Sequence, residues 1–250
     1  MKRFYIHTIT ICCVLCFVCL AVFCCKNDSN EPEPDPPLTG YVDKTIEGFT
    51  IKVAAKDEKF QITQQTLAKI KSDLETIVPF YSSAQLQVLC KNPIWAEVSI
   101  EPVEAARYHP NVQWLIEHGY IPEKAKCVEI SNMMNYLDWS SKNQPFMLLH
   151  ELSHLYHDQA LSGGFNNTTI LNAYNTAKAS GKYNSVRYYN GTDTLKNQKA
   201  YAMQNQMEFF AELSEAYFGN NDYEPFTYSE LKTFDPAGFA LMETIWGKRE

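Results

Sequence analysis

Apolar positions recur at two periods along this chain. Leu67, Ile70, Leu74 and Ile77 fall three to four residues apart, which predicts an amphipathic helix over 62–80. Ile94, Ala96, Val98 and Ile100 instead alternate with Trp95, Glu97, Ser99 and Glu101, the period of a half-buried strand. Short apolar runs at 49–53 and 127–130 read as further strands. Helices are expected over 112–118, 144–161, 170–179, 206–218 and 237–246, the first four closed by glycines. Asn190-Gly191 is a turn dipeptide across which 185–189 and 199–203 are expected to pair. Strands early and helices late give an α+β class. No repeat or second linker interrupts 41–250, so a single domain is expected there.

The N-terminus follows a different pattern. An apolar run over 9–25, broken only by Thr10, follows Lys2 and Arg3, the layout of a secretory signal. Its length also approaches that of a spanning helix, so cleavage and retention as a single anchor both fit. Either way the rest of the chain lies outside the cytoplasm, secreted or tethered to the cell envelope. Six of the eight cysteines crowd into this run. Cys24 or Cys25, at the junction with polar residues, resembles the lipidated cysteine of bacterial lipoproteins, the alternative being a cysteine-rich signal or anchor. Four prolines alternating with acids then make 26–40 an extended tether. The two remaining cysteines, Cys90 and Cys127, either pair in an oxidising compartment or stay as independent thiols.

Composition narrows the function. With 45% hydrophobic and 20% charged residues the chain is globular in type. A net charge of -7 and the lack of any lysine- or arginine-rich block exclude a phosphate-tracking nucleic-acid binder. The membrane enters only through the N-terminal anchor or lipid, and a monomer is expected.

The chemistry concentrates in His150-Glu151-Leu152-Ser153-His154. Two histidines four apart on a helix share one face and converge on one cation, with Glu151 near enough to reach a water held there. That set suits zinc hydrolysis, which uses neutral nitrogen ligands, a third protein ligand and an open position. Leu148, Leu152 and Leu155 fall on the opposite face and would bury the helix. His157 shares the histidine face but stands about 10 Å of helix rise from His150, which suits a supporting or cleft-lining place. A better third ligand is Glu208, which forms an acidic stripe with Glu212 and Glu215, although Asn205 and Glu208 also fit a plain capping box.

HELSH at 150–154 followed by EFFAE at 208–212, with Tyr201 seven residues before Glu208, resembles the gluzincin zinc metallopeptidases, most closely the anthrax lethal factor-like catalytic domains of exported bacterial proteins. The resemblance covers about 145–218 and implies a zincin-like domain: a small mixed sheet and an HExxH active-site helix. It implies one Zn2+ per chain held by His150, His154 and Glu208, with Glu151 as general base and Tyr201 donating to an oxyanion. Glu212 would orient a ligand histidine. The implied activity is hydrolysis of a peptide or protein substrate, read as endopeptidase, with substrate lying along a sheet edge formed by 95–101. A rival reading is a zinc-containing binding module or adhesin without turnover, which has no use for the base.

Overall fold

The computed structural model describes residues 40–249; the apolar run at 9–25, Cys24, Cys25 and the tether up to residue 39 lie outside them. A hairpin comes first. β1 (Tyr41–Ile46) turns into β2 (Phe49–Ala54) through Glu47 and Gly48, both at positive φ (48° and 85°), the two-residue loop whose twist matches paired strands. Next come α1 (Gln61–Ile77), α2 (Ser83–Leu89), β3 (Ile94–Ala96), β4 (Arg107–Tyr108), α3 (Val112–Glu117) and β5 (Val128–Ile130). The second half holds α4 (Met133–Lys142), α5 (Met147–Ala160), α6 (Thr168–Ser180), β6 (Val186–Tyr189), β7 (Thr194–Gln198), α7 (Gln206–Phe218), α8 (Tyr228–Phe234) and α9 (Pro236–Trp246). The fold is mixed α+β, with a small sheet and a larger helical part.

The main sheet has the order β1-β2-β3-β5-β4. Its centre is parallel and both edges are antiparallel. Ile51, Ile94, Val128 and Tyr108 share one face, which packs on the helices through Ile70, Leu74, Leu148 and Leu152. Lys52, Trp95, Glu129 and Arg107 share the other.

That second face corrects the half-buried strand expected at 94–101. The strand stops at Ala96 and is buried on both faces, by the helices on one and by Tyr41 and Lys124 over Trp95 on the other. Trp95 packs edge-on against Tyr41, with ring centroids 4.6 Å apart, and Glu97 turns inward to Lys124 Nζ at 2.7 Å. The free edge that faces the helices is β4. The hairpin expected between 185–189 and 199–203 also shifts: β6 pairs with β7, and 199–203 instead ends in a single 3₁₀ turn, Tyr201–Met203.

Cys90 and Cys127 are free thiols, so no disulfide joins them. Cys90 ends α2, whereas the Cys127 thiol donates to the carbonyls of Glu123 and Ala125 in its own turn.

Two helices carry the interior, α5 and α7. Every residue of α7 from Phe209 to Phe218 is buried, so this helix is a core element on all sides. Trp246 Nε1 donates to Ser214 Oγ at 2.9 Å and ties α9 to it. At its C-terminal end Gly219 lies directly on the ring of Phe146, which begins α5; a Cβ there would sit 2.1 Å from that ring. Only glycine allows this approach, which fixes the end of α7 against the start of α5.

Candidate active site

α5 carries His150, Glu151 and His154 from its second turn onward, with Leu148, Leu149, Leu152 and Leu155 buried behind them. α7 begins at Asn205, whose Oδ1 accepts from the amides of Met207 and Glu208 at 2.8 and 2.9 Å. The cap therefore exists, and it sets Glu208 in the first turn facing α5.

Glu208 Oε2 lies 3.1 Å from His150 Nε2 and 3.2 Å from His154 Nε2. Ligand atoms about 2.0–2.2 Å from a tetrahedral zinc are separated from one another by about 3.3 Å, so this set fits one ion. The two nitrogens and one carboxylate oxygen are also the donor chemistry zinc takes. Burial opposes ionisation of Glu208, but the two imidazoles at its oxygen outweigh it and hold the carboxyl well below the usual range.

The tautomer of His150 is set from behind. Its Nδ1 donates to Glu215 Oε1 at 2.6 Å, so the proton on Nε2, which faces Glu208, is the one a metal would displace; burial opposes that charge, but the bonds to Glu208 and Glu215 hold the His150 pKa well above the usual imidazole range. Glu212, expected in that role, lies 3.9 Å from Nδ1 and instead accepts from Asn221 Nδ2 at 3.0 Å. The reason is angular. Seven residues return a helix to within about 20° of its starting azimuth, whereas four overshoot by about 40°. Glu215 therefore faces α5 more squarely than Glu212 does.

His157 also departs from expectation. It does not line the cleft but is fully buried between Phe165 and Phe210, ring centroids 5.1 and 5.2 Å away, with neither ring nitrogen bonded. Burial, helped by nearby His154, lowers its pKa to about 4.

Glu151 reaches the same cleft, and burial pushes its carboxyl up. Tyr201, on its 3₁₀ turn, is 38% exposed with its ring 6.4 Å from that of His150. Burial and the charge of Glu208 push its hydroxyl up to about 12, so it stays protonated and able to donate at neutral pH.

The cleft around these groups encloses about 550 Å³. One wall is the edge strand β4. Ala105 and His109 bond back toward β5 through Ser131, Asn132, Lys126 and Cys127, so the main-chain groups of Ala106 and Tyr108 alternate outward. The Tyr108 hydroxyl donates to Asp158 Oδ2 of α5 at 2.6 Å and holds the edge beside the histidines. Beyond His150 the cleft is walled by Trp139, Tyr188, Tyr223 and Asp222. Burial, then the charge of Glu215, pushes Asp222 up to about 7. Sequence reasoning had no signal for β4 or Asp222; for Glu215 the signal was its two-turn spacing from Glu208.

No family model matches this sequence, and no curated protein matches it. Among solved structures the chain is similar to the PRO-PRO endopeptidase (PPEP-2) from Paenibacillus alvei, at 21% identity over 72% of this chain and 89% of that one, with a TM-score of 0.42.

Proposed function

We propose that this protein is a zinc-dependent peptide hydrolase of the lethal factor-like gluzincin type, acting outside the cytoplasm. The observation that carries the reading is the convergence of His150 Nε2, His154 Nε2 and Glu208 Oε2 from two helices onto one ion-sized position. Zinc bound there would supply a Lewis acid that polarises a carbonyl and makes water acidic near neutral pH.

The remaining work falls to the chain. Glu215 holds His150 in the ligating tautomer. An extended peptide adds to β4, accepting and donating main-chain bonds at Ala106 and Tyr108. Glu151 takes the proton of the attacking water and returns it to the leaving amine, a role its raised pKa suits. Tyr201 donates its hydroxyl proton in a hydrogen bond to the developing oxyanion.

Elemental analysis of the full chain should find one zinc, lost in Glu208→Ala. Glu151→Gln should keep the metal and lose turnover by a factor of about 100 or more. Zinc retained in Glu208→Ala, or activity retained in Glu151→Gln, would defeat the assignment.

A further inference from the structure

Six carboxylates line the cleft against a single guanidinium. That guanidinium, Arg107, is already engaged by Glu101, Glu104 and Glu129 at 3.1–3.3 Å. Glu208 and Glu151 belong to the metal position and Glu215 is bonded to His150, which leaves Glu212 and Asp222.

Both are more than nine-tenths buried, and both show the same half-finished pattern. Glu212 Oε2 accepts from Asn221 at 3.0 Å and Asp222 Oδ2 accepts from Gln144 at 3.3 Å. Their other oxygens, Glu212 Oε1 and Asp222 Oδ1, accept no hydrogen bond from the described residues, although both side chains line the cleft. No lysine or arginine among the described residues pairs with either. These oxygens open onto the cleft, where a charged donor would make a stronger hydrogen bond than at the protein surface.

Aromatic rings flank the same space. Tyr188 and Tyr223 stack at 4.3 Å with their planes 22° apart, and Trp139 stands on the cleft wall. Acidic and aromatic side chains line this space together, a chemistry suited to an organic cation with an apolar stem. The rings favour such a guest over a bare metal ion, which would need more oxygen ligands and no rings.

We infer that the end of the cleft beyond His150, built from Glu212, Asp222, Tyr188, Tyr223 and Trp139, is a specificity pocket for a lysine or arginine side chain of the peptide. The inference rests on the peptidase reading for the identity of the guest, and its test keeps the two apart.

Digestion of a peptide library by the full chain, read by mass spectrometry, should place lysine or arginine at one fixed position near the cut bond. For a peptide pair differing only there, kcat/KM with lysine should exceed that with norleucine by at least about tenfold. Asp222→Asn and, separately, Glu212→Gln should bring this ratio toward one, an effect that general misfolding would not produce. Equal rates in the wild-type protein, or a ratio unmoved in both variants, would overturn the pocket.

If no peptide is cut, the peptidase reading falls and binding judges the pocket alone. Calorimetry on Glu151→Gln should show the lysine peptide bound at least about tenfold more tightly than the norleucine one, and equal binding would overturn it. A second equivalent of zinc or calcium that Asp222→Asn removes would likewise overturn it, making these acids a metal site.

Discussion

The protein buries two groups of charges, one on each face of the β3-β5-β4 region, and they are built on opposite plans. On the face away from the helices, Lys124 Nζ bonds both Glu97 and Glu129. Glu129 also takes His109 Nε2 at 2.6 Å and Arg107 Nε at 3.3 Å, and Glu97 takes the Tyr41 hydroxyl at 2.6 Å. Each carboxylate there has a cation from the chain itself. In the cleft, Glu208, Glu212, Glu215 and Asp222 face two histidines and, among the described residues, no lysine. The first group is finished by folding; in the second, Glu212 and Asp222 pair with no lysine or arginine among the described residues. A closed buried network holds loops on a sheet, whereas an open one holds a place for a ligand.

The comparison breaks most sharply at Lys124. Lys124→Met leaves Glu97 and Glu129 buried without their shared ammonium, and loss of one partner from a buried pair costs about 3–5 kcal/mol. Urea unfolding should show that loss with or without zinc, whereas Asp222→Asn, at a carboxyl that burial and the charge of Glu215 already push up, should cost far less. Equal losses would mean that the two clusters do not differ in kind.

Acid should find the closed cluster next. Burial alone would raise the Glu129 carboxyl, but the hydrogen bond from His109 and the charge of Lys124 bring it down to about 2. A carboxyl lowered in the folded state contributes stability above its unfolded pKa and loses it as pH falls toward the folded value. The window therefore runs from about pH 4.5 down to about pH 2, with up to about 3 kcal/mol at stake. Wild type should exceed Glu129→Gln in stability at pH 7, and the gap should shrink across that window. A gap independent of pH would show that Glu129 is not the titrating group.

A smaller effect sharpens the open cluster. Glu215→Gln keeps an acceptor near His150 Nδ1 but removes the charge that raises the basicity of Nε2, so zinc affinity should fall roughly ten- to hundredfold. Glu212→Gln should alter zinc affinity less, because Glu212 is bonded to Asn221 rather than to the ligand. Competition with a chromophoric chelator measures both, and a larger effect at Glu212 would reverse the assignment.

The two clusters also differ in how far they could be read beforehand. The open one is local in sequence. Its residues sit at helical spacings on two long helices, so HELSH and the acidic stripe were visible as patterns. What the pattern blurred was azimuth, and the choice between Glu212 and Glu215 needed the angle at which α7 meets α5. The closed cluster was not visible. Glu97 read as the polar side of a half-buried strand and Glu129 fell within a short apolar run, and the Lys124 that joins them lies in a turn without periodicity. The strand β4 has two residues, too few to show alternation, although it forms the cleft edge. The segments of α2 and α8 are seven residues each, and α4 buries only Met133, Tyr136 and Ser140, so their periodicity was weak. Long helices announce themselves through repetition; short elements depend on what packs over them.

His157 belongs to neither plan and gives the smallest effect. It sits on α5, fully buried between Phe165 and Phe210, with both nitrogens unbonded. A polar ring without partners contributes nothing that a similarly sized apolar side chain would not, so His157→Leu should stabilise the protein at pH 7 by about 1 kcal/mol. It should also change the acid response. The folded ring has a pKa of about 4 against the 6.5 of a free imidazole, so below pH 6.5 the unfolded chain binds the proton first. Stability is therefore drained as pH falls from about 6.5 toward 4, and the substitution should flatten that decline. Unfolding curves at pH 7, 5.5 and 4.5 would measure it. If the leucine variant instead loses stability at pH 7, the ring has a bonded partner after all, such as an ordered water, and His157 would be a structural polar group rather than an isolated one.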